Sequence, residues 1–230
     1  MKAILLLFIS ATSIKTQELW NQYPESNGKY IVPYKFTGAY DPEERSMIET
    51  AMRKIADNTC VEFRPRTNEE EFVEIVNQRD GSCSANVGRS GENRIYLESN
   101  ENVKCIDSKI VMVMLLHSLG LWGEHQRADR DKYIKIHFEN IADQREGFFV
   151  AEIGSTKKYL SVPYDYLSIM HNSKDAYARP GTVAIETLDP AYQDQIGTAT
   201  EPSLRDYEKI NLLYQCNNLK ITPGTVSFYA

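Results

Sequence analysis

Apolar and polar positions along this chain alternate with periods that change from segment to segment, and each period marks an element. Met47, Ile48, Ala51, Met52 and Ile55 recur at the spacing of one helix face. Just before them, Asp41-Pro42-Glu43-Glu44 offers an N-cap, a proline for the first helical position and carboxylates for the first turn. Together these predict a helix ending near Asn58. Short strand-like segments follow at Cys60–Phe63, Phe72–Val76 and Arg94–Leu97. A more uniformly apolar run begins after Asp107 or Ser108, either of which can cap it, and predicts a second helix to Leu119, ended by Gly120. Pro202-Ser203 with Asp206 opens a last helix carrying Leu204, Ile210, Leu213 and Tyr214. Strands followed by helices predict an α+β domain.

The N-terminus reads differently. Met1-Lys2 precedes an apolar run from Ala3 to Ala11, too short to cross a membrane but right for a secretory signal peptide. Small residues at Ala11 and Ser13 place its end at about Ser13. Residues 14–19 then form a short leader without a recognisable pro-domain, and residues 217–230 a polar tail with a Pro-Gly turn. The expectation is a secreted, extracellular protein. A chain of 230 residues with formal net charge −6 fits one domain and argues against nucleic acid as a partner. Cys60, Cys83, Cys105 and Cys216 suit two disulfides in an oxidising compartment, with three pairings open. Four zinc thiolates are the alternative, but the paired C-x-x-C spacing is missing.

The chemistry-bearing positions lie in residues 113–131. Zinc proteases of the metzincin type carry H-E-x-x-H-x-x-G-x-x-H on and just after a helix. Histidines four apart share a helix face, the glycine turns the chain to return a third, and the glutamate activates the metal-bound water. In this register Val113 and Gly123 stand at the first and third ligand positions, and Met114 stands at the general base. Only His117 and Gly120 keep their types. Val113 and Met114 read as apolar repair of a vacated site, because polar groups buried there without an ion would cost about 1–3 kcal/mol each. Ser118 beside His117 makes no triad, since helix neighbours point apart. Glu62, Glu71 and Glu74 read as solvated faces.

The surroundings of these positions resemble the astacins. Glu124, Arg127, Asp129, Arg130, Asp131 and Tyr133 match the astacin continuation E-x-x-R-x-D-R-D-x-Y, and Val162 to His171 resembles the approach to the astacin Met-turn. The resemblance extends from Trp20 to Cys216 through Trp20–Pro33, Tyr40–Arg45, Cys60–Thr67, Cys83–Arg89 and Asp206–Cys216.

It implies a peptidase-like domain over residues 20–216, with an N-terminal twisted sheet, an irregular C-terminal half and a cleft between them. It selects the pairing Cys60–Cys216 and Cys83–Cys105. It places Ser168, Met170 and His171 in the Met-turn, and Asn172 where astacins keep a tyrosine that stabilises the transition state. Arg94, Ile95, Tyr96 and Leu97 become the candidate peptide-binding edge, open to strand addition. Glu124 is expected to pair with a nearby arginine, and Arg127, Asp129, Arg130 and Asp131 to form a charge network. His137 is expected to be exposed or structural, and His125 to be no ligand.

The resulting expectation is a pseudoprotease with no catalytic residue and no zinc, acting by binding polypeptide or an extracellular protein. The alternative is an active zinc endopeptidase whose site is rebuilt from His117, His125 and His171.

Overall fold

The structure is a computed structural model that describes residues 18–78, 83–101 and 103–216. The expected signal peptide, most of the leader and the C-terminal tail lie outside the described residues.

The N-terminal half is a sheet packed on two helices. Strand β1 (Tyr30–Gly38) leads into helix α1 (Pro42–Asn58), followed by β2 (Val61–Pro65), β3 (Val73–Asn77), β4 (Cys83–Ala85), β5 (Arg94–Leu97) and helix α2 (Ser108–Ser118). The predicted start of α1 is present: Asp41 accepts from the Glu43 and Glu44 N–H groups at 2.8 and 2.9 Å, and Glu44 accepts from the Asp41 N–H at 2.8 Å. This reciprocal cap satisfies donors that the first helical turn leaves open. Its apolar face buries Ile48, Ala51, Met52 and Ile55 as the spacing predicts, while Met47, counted on the same face, is exposed.

The strand order is β2-β1-β3-β5-β4, with only β4 antiparallel. Strand β1 is central, flanked by β2 along Tyr30–Tyr34 and by β3 along Tyr34–Gly38. The sequence reading assigned it no strand. The order also corrects the expected edge. Strand β5 pairs with β3 on one side and with β4 on the other, so Arg94, Ile95, Tyr96 and Leu97 are interior. The edge on that side of the sheet is β4, whose short run of Cys83, Ser84 and Ala85 carries little strand signal of its own.

The C-terminal half is mostly turns. It holds the two-stranded pair β6 (Ile134–Ile136) and β7 (Ile185–Thr187), one short helix α3 (Ile153–Thr156), and the closing helix α4 (Leu204–Leu213). A second apolar cluster, including Ile134, Ile141, Phe149 and Ile185, fills it. Helix α4 opens as predicted, with Ser203 as cap and Asp206 bonding back to the Ser203 N–H at 2.9 Å.

The disulfides are those the resemblance selected, Cys60–Cys216 and Cys83–Cys105, with sequence separations of 156 and 22. In the chain-entropy picture such loops contribute about 5 and about 3 kcal/mol respectively. No helix among the described residues is long and apolar enough to cross a membrane.

Candidate functional site

Helix α2 forms the floor of a cavity of about 640 Å³ between the two halves. Asp107 fixes its start by accepting from the Lys109 and Ile110 N–H groups at 2.9 and 3.2 Å. Gly120, with φ of +99°, turns the chain after it, a conformation that glycine adopts without steric cost. From this helix Lys109, Ile110, Val113, Met114 and His117 line the cavity. Across it stand Met170, His171 and Asn172 of the Met-turn, and Cys83, Ser84 and Ala85 of the β4 edge complete a wall. None of Arg94 to Leu97 lines it, as their interior position requires.

His117 is half-buried. Its Nδ1–H donates to the Leu121 carbonyl at 2.8 Å, which leaves Nε2 as the nitrogen with a free lone pair. Burial lowers its pKa to about 4, against the bond to Leu121, so the ring is neutral at physiological pH.

The third ligand position is not merely empty. A Cβ added to Gly123 would stand 2.5 Å from Cε1 and 2.9 Å from Nδ1 of His125. The His125 ring therefore fills that space. Its Nε2–H donates to the Phe148 carbonyl at 3.1 Å, and the Asn172 amide lies 3.2 Å from the same nitrogen. Its Nδ1 is buried with no hydrogen-bond partner among the described residues. Desolvation depresses its pKa to about 3, with His171 nearby adding to the shift.

His171 is fully engaged. Tyr164 donates its hydroxyl to Nε2 at 2.9 Å, and Nδ1–H donates to the Asn172 carbonyl at 2.7 Å. Burial draws its pKa to about 4. The Met-turn beneath is anchored to α4: Ser168 donates to Asp206 at 2.5 Å, and the Ile169 N–H donates to the same carboxylate at 3.1 Å.

Glu124 joins this anchorage. It is 1 % exposed and takes Lys209 of α4, Arg127 at 3.3 Å and the Asp165 N–H at 2.8 Å. The expected arginine partner is there, but the closer one is Lys209, itself completely buried. Burial raises the Glu124 carboxyl pKa while both cations oppose that shift. Lys209 was missed, although it follows Asp206 at i+3 and precedes the buried Ile210, an available signal of a charge facing inward. The predicted network is also present: Arg127 makes two bonds to Asp129 at 2.9 and 3.0 Å, and Arg130 pairs with Asp131 at 3.2 Å.

Two other expectations resolve away from the cavity. His137 on the exit of β6 is held between Glu139 at 3.1 Å and Glu186 at 2.7 Å. Glu62, Glu71 and Glu74 are not simply solvated: they pair with Arg64, Arg89 and Arg94, and Glu74 also takes Lys35 at 2.9 Å.

A catalytic zinc takes three protein ligands and keeps one open position. The positions for them hold Val113, His117 and Gly123, both nitrogens of His171 are in use, and the free nitrogen of His125 is enclosed. Among the described residues no group of three or more His, Cys, Asp or Glu side chains could hold a metal. The donor set does not fit zinc.

The sequence model of the astacin peptidase family matches residues 15–215. Among curated proteins the chain is 40 % identical over 199 residues to zinc metalloproteinase nas-5 of Caenorhabditis elegans, covering 86 % of this chain and 55 % of that protein. It is 34 % identical to nas-6 of the same organism, covering 85 % of this chain and 56 % of that one. The chain thus spans little more than half the length of these two relatives. Among solved structures, high choriolytic enzyme 1, a hatching-enzyme zinc protease of the medaka fish Oryzias latipes, superposes with a TM-score of 0.77 at 33 % identity, covering 86 % of this chain and 95 % of that one. With its sheet, its Met-turn and its sequence matched over nearly the whole described length, this chain belongs to the astacin family.

Proposed function

We propose that this protein is a secreted astacin-family pseudoprotease that binds polypeptide in its cleft without hydrolysing it. One observation carries the reading: the ring of His125 occupies the space of the third metal ligand, while Val113 and Met114 replace the first ligand and the base. Losing ligands and base together removes both the Lewis acid and the means to deprotonate its water. What supports retained binding is the frame. Among the described residues no further strand pairs with the outer side of β4 along the cavity, and an extended segment can add there as a strand. Secretion is supported by the N-terminal apolar run and by the two disulfides.

The family itself favours the second reading, a zinc endopeptidase, since the relatives with the highest identity quoted above are named zinc metalloproteinases. Zinc content separates the two. The folded, disulfide-intact protein is equilibrated with excess zinc and freed of loosely held ion. The expected stoichiometry is near zero, with no chelator-sensitive cleavage of a denatured protein substrate. One tightly held zinc per chain would overturn the proposal and restore the peptidase reading. Partners are then sought by titrating unstructured polypeptides, for which saturable binding without cleavage is expected.

A further inference from the structure

The cavity has a polarity of its own. The chain carries a net charge of −6, yet no aspartate or glutamate among the described residues lines this space. The charged side chain in its wall is Lys109, whose ammonium rests on the Gly197 carbonyl of the opposite half. From Lys109 the α2 face continues as Ile110, Val113 and Met114 to the uncharged ring of His117, with Met170 facing them. At the rim Phe148 and Tyr177 stack at 4.6 Å, both 43 % exposed, and the Arg145 guanidinium lies 5.9 Å from each ring. An apolar sleeve with cations at its wall and mouth, and no anion among its described lining residues, complements a ligand with a hydrocarbon body and a negative head.

Length narrows the class. Eight residue steps along the helix lead from Lys109 to His117, a rise of about 12 Å, which a chain of about ten carbons spans. The α2 backbone is internally bonded and offers no donors or acceptors to a ligand lying along it. A peptide backbone finds its partners at the β4 wall and none along α2, where methylenes need none. We propose that this cavity binds a medium-chain aliphatic carboxylate, its head on Lys109 and its chain along α2 towards His117. The inference goes beyond polypeptide binding at the β4 edge and does not rest on it.

The test is calorimetric titration of the full disulfide-intact protein with sodium octanoate, octan-1-ol and octylamine, and with carboxylates of six to ten carbons. Octanoate is expected to bind saturably with one site. The alcohol should bind at least tenfold more weakly and the amine more weakly still. Each added methylene should tighten binding by about three- to fourfold until the sleeve is filled. Lys109→Met should weaken octanoate at least tenfold and leave octanol unchanged, while Lys109→Arg should retain octanoate. Met114→Glu, which sets an anion in the sleeve without touching Lys109, should also weaken it. Near-ultraviolet circular dichroism checks that each variant keeps its packing. Absence of saturable binding, equal affinity for acid and alcohol, or indifference to Lys109→Met would overturn the proposal. So would a short apolar peptide acid that displaces octanoate and binds more tightly, which would give the sleeve to polypeptide.

Discussion

The His125 imidazole stands where a side chain on residue 123 would project, 2.5 Å from the position of a Cβ on Gly123. A metal ligand at that position is therefore blocked by a neighbour as well as missing.

This predicts an order of repair. Restoring Val113→His, Met114→Glu, Gly123→His and Asn172→Tyr together is expected to leave zinc bound well below one per chain, because the new histidine collides with the His125 ring. Adding His125→Ala should free the space and bring zinc content towards one per chain. Gly123→His alone should cost about 1–3 kcal/mol by overpacking, read as a lowered denaturant midpoint. Full zinc loading of the four-residue variant would show that His125 yields easily.

The pair Glu124–Lys209 gives a second expectation. Both side chains are within 1 % of complete burial, so removing one charge strips the other of its nearest counterion and leaves Glu124 to Arg127 at 3.3 Å, or Lys209 to Asp206 at 3.6 Å. Lys209→Met should destabilise the fold by about 3–5 kcal/mol, and the double variant with Glu124→Leu by less, since an unpaired buried charge costs more than an apolar pair. A double-mutant cycle in denaturant measures this. Additive losses would contradict it.

Acid should loosen the cleft before it affects the surface carboxylates. His125 and His171 are held neutral, with pKa values lowered to about 3 and about 4 by burial. In the unfolded chain both titrate near 6.5. Below that value the unfolded state binds more protons than the folded one, so stability falls as pH drops from about 6.5 towards 4. The stability they contribute is complete above pH 6.5, and by pH 4 the loss should be on the order of 3 kcal/mol for each ring, or about 6 kcal/mol together. Unfolding free energies measured across this window test it, with His171→Gln flattening part of the slope.

Trp20 fastens the start of the described chain under the end of α2. It is fully buried, its indole N–H donates to the Ser118 carbonyl at 3.0 Å, and its own N–H meets the Tyr214 hydroxyl at 3.3 Å. Trp20→Ala should cost about 3–5 kcal/mol by cavity formation and the lost bond. Trp20→Phe should recover most of the packing but not the hydrogen bond, and comparison of their thermal midpoints separates the two contributions.

Much of this architecture was legible because its cues are local. Asp41, Asp107 and Ser203 announce three helix starts, and the apolar spacing after each finds most of the buried face, although Met47 of α1 and Leu204 of α4 are exposed. Strand β1 was overlooked because Pro33 interrupts a pattern that otherwise reads as strand, and proline there argues against a central position. The fold accommodates it because β2 and β3 flank different stretches of β1. The edge was misplaced for a related reason. Being at an edge is a property of pairing, and neither Arg94–Leu97 nor Cys83–Ala85 contains a residue that reports its neighbours. The losses at Val113, Met114 and Gly123 could be read from the spacing of the ligand motif, and that at Asn172 from the resemblance of the Met-turn. That His125 fills the gap could not, since it depends on the backbone direction after Gly120 and on the Phe148 carbonyl, both set by tertiary structure.

The Cys60–Cys216 bond has a topological consequence for a protein built like a protease. It joins Cys60, two residues past the end of α1, to the last described residue, 156 positions along, and so closes almost the entire cleft into one covalent ring. A single backbone cut anywhere in that ring opens a loop but releases no fragment. The two new ends stay tethered at high effective concentration and can remain docked. Among active proteases such a molecule would accumulate nicks while keeping its cavity, and its wear would show only on gels run after reduction.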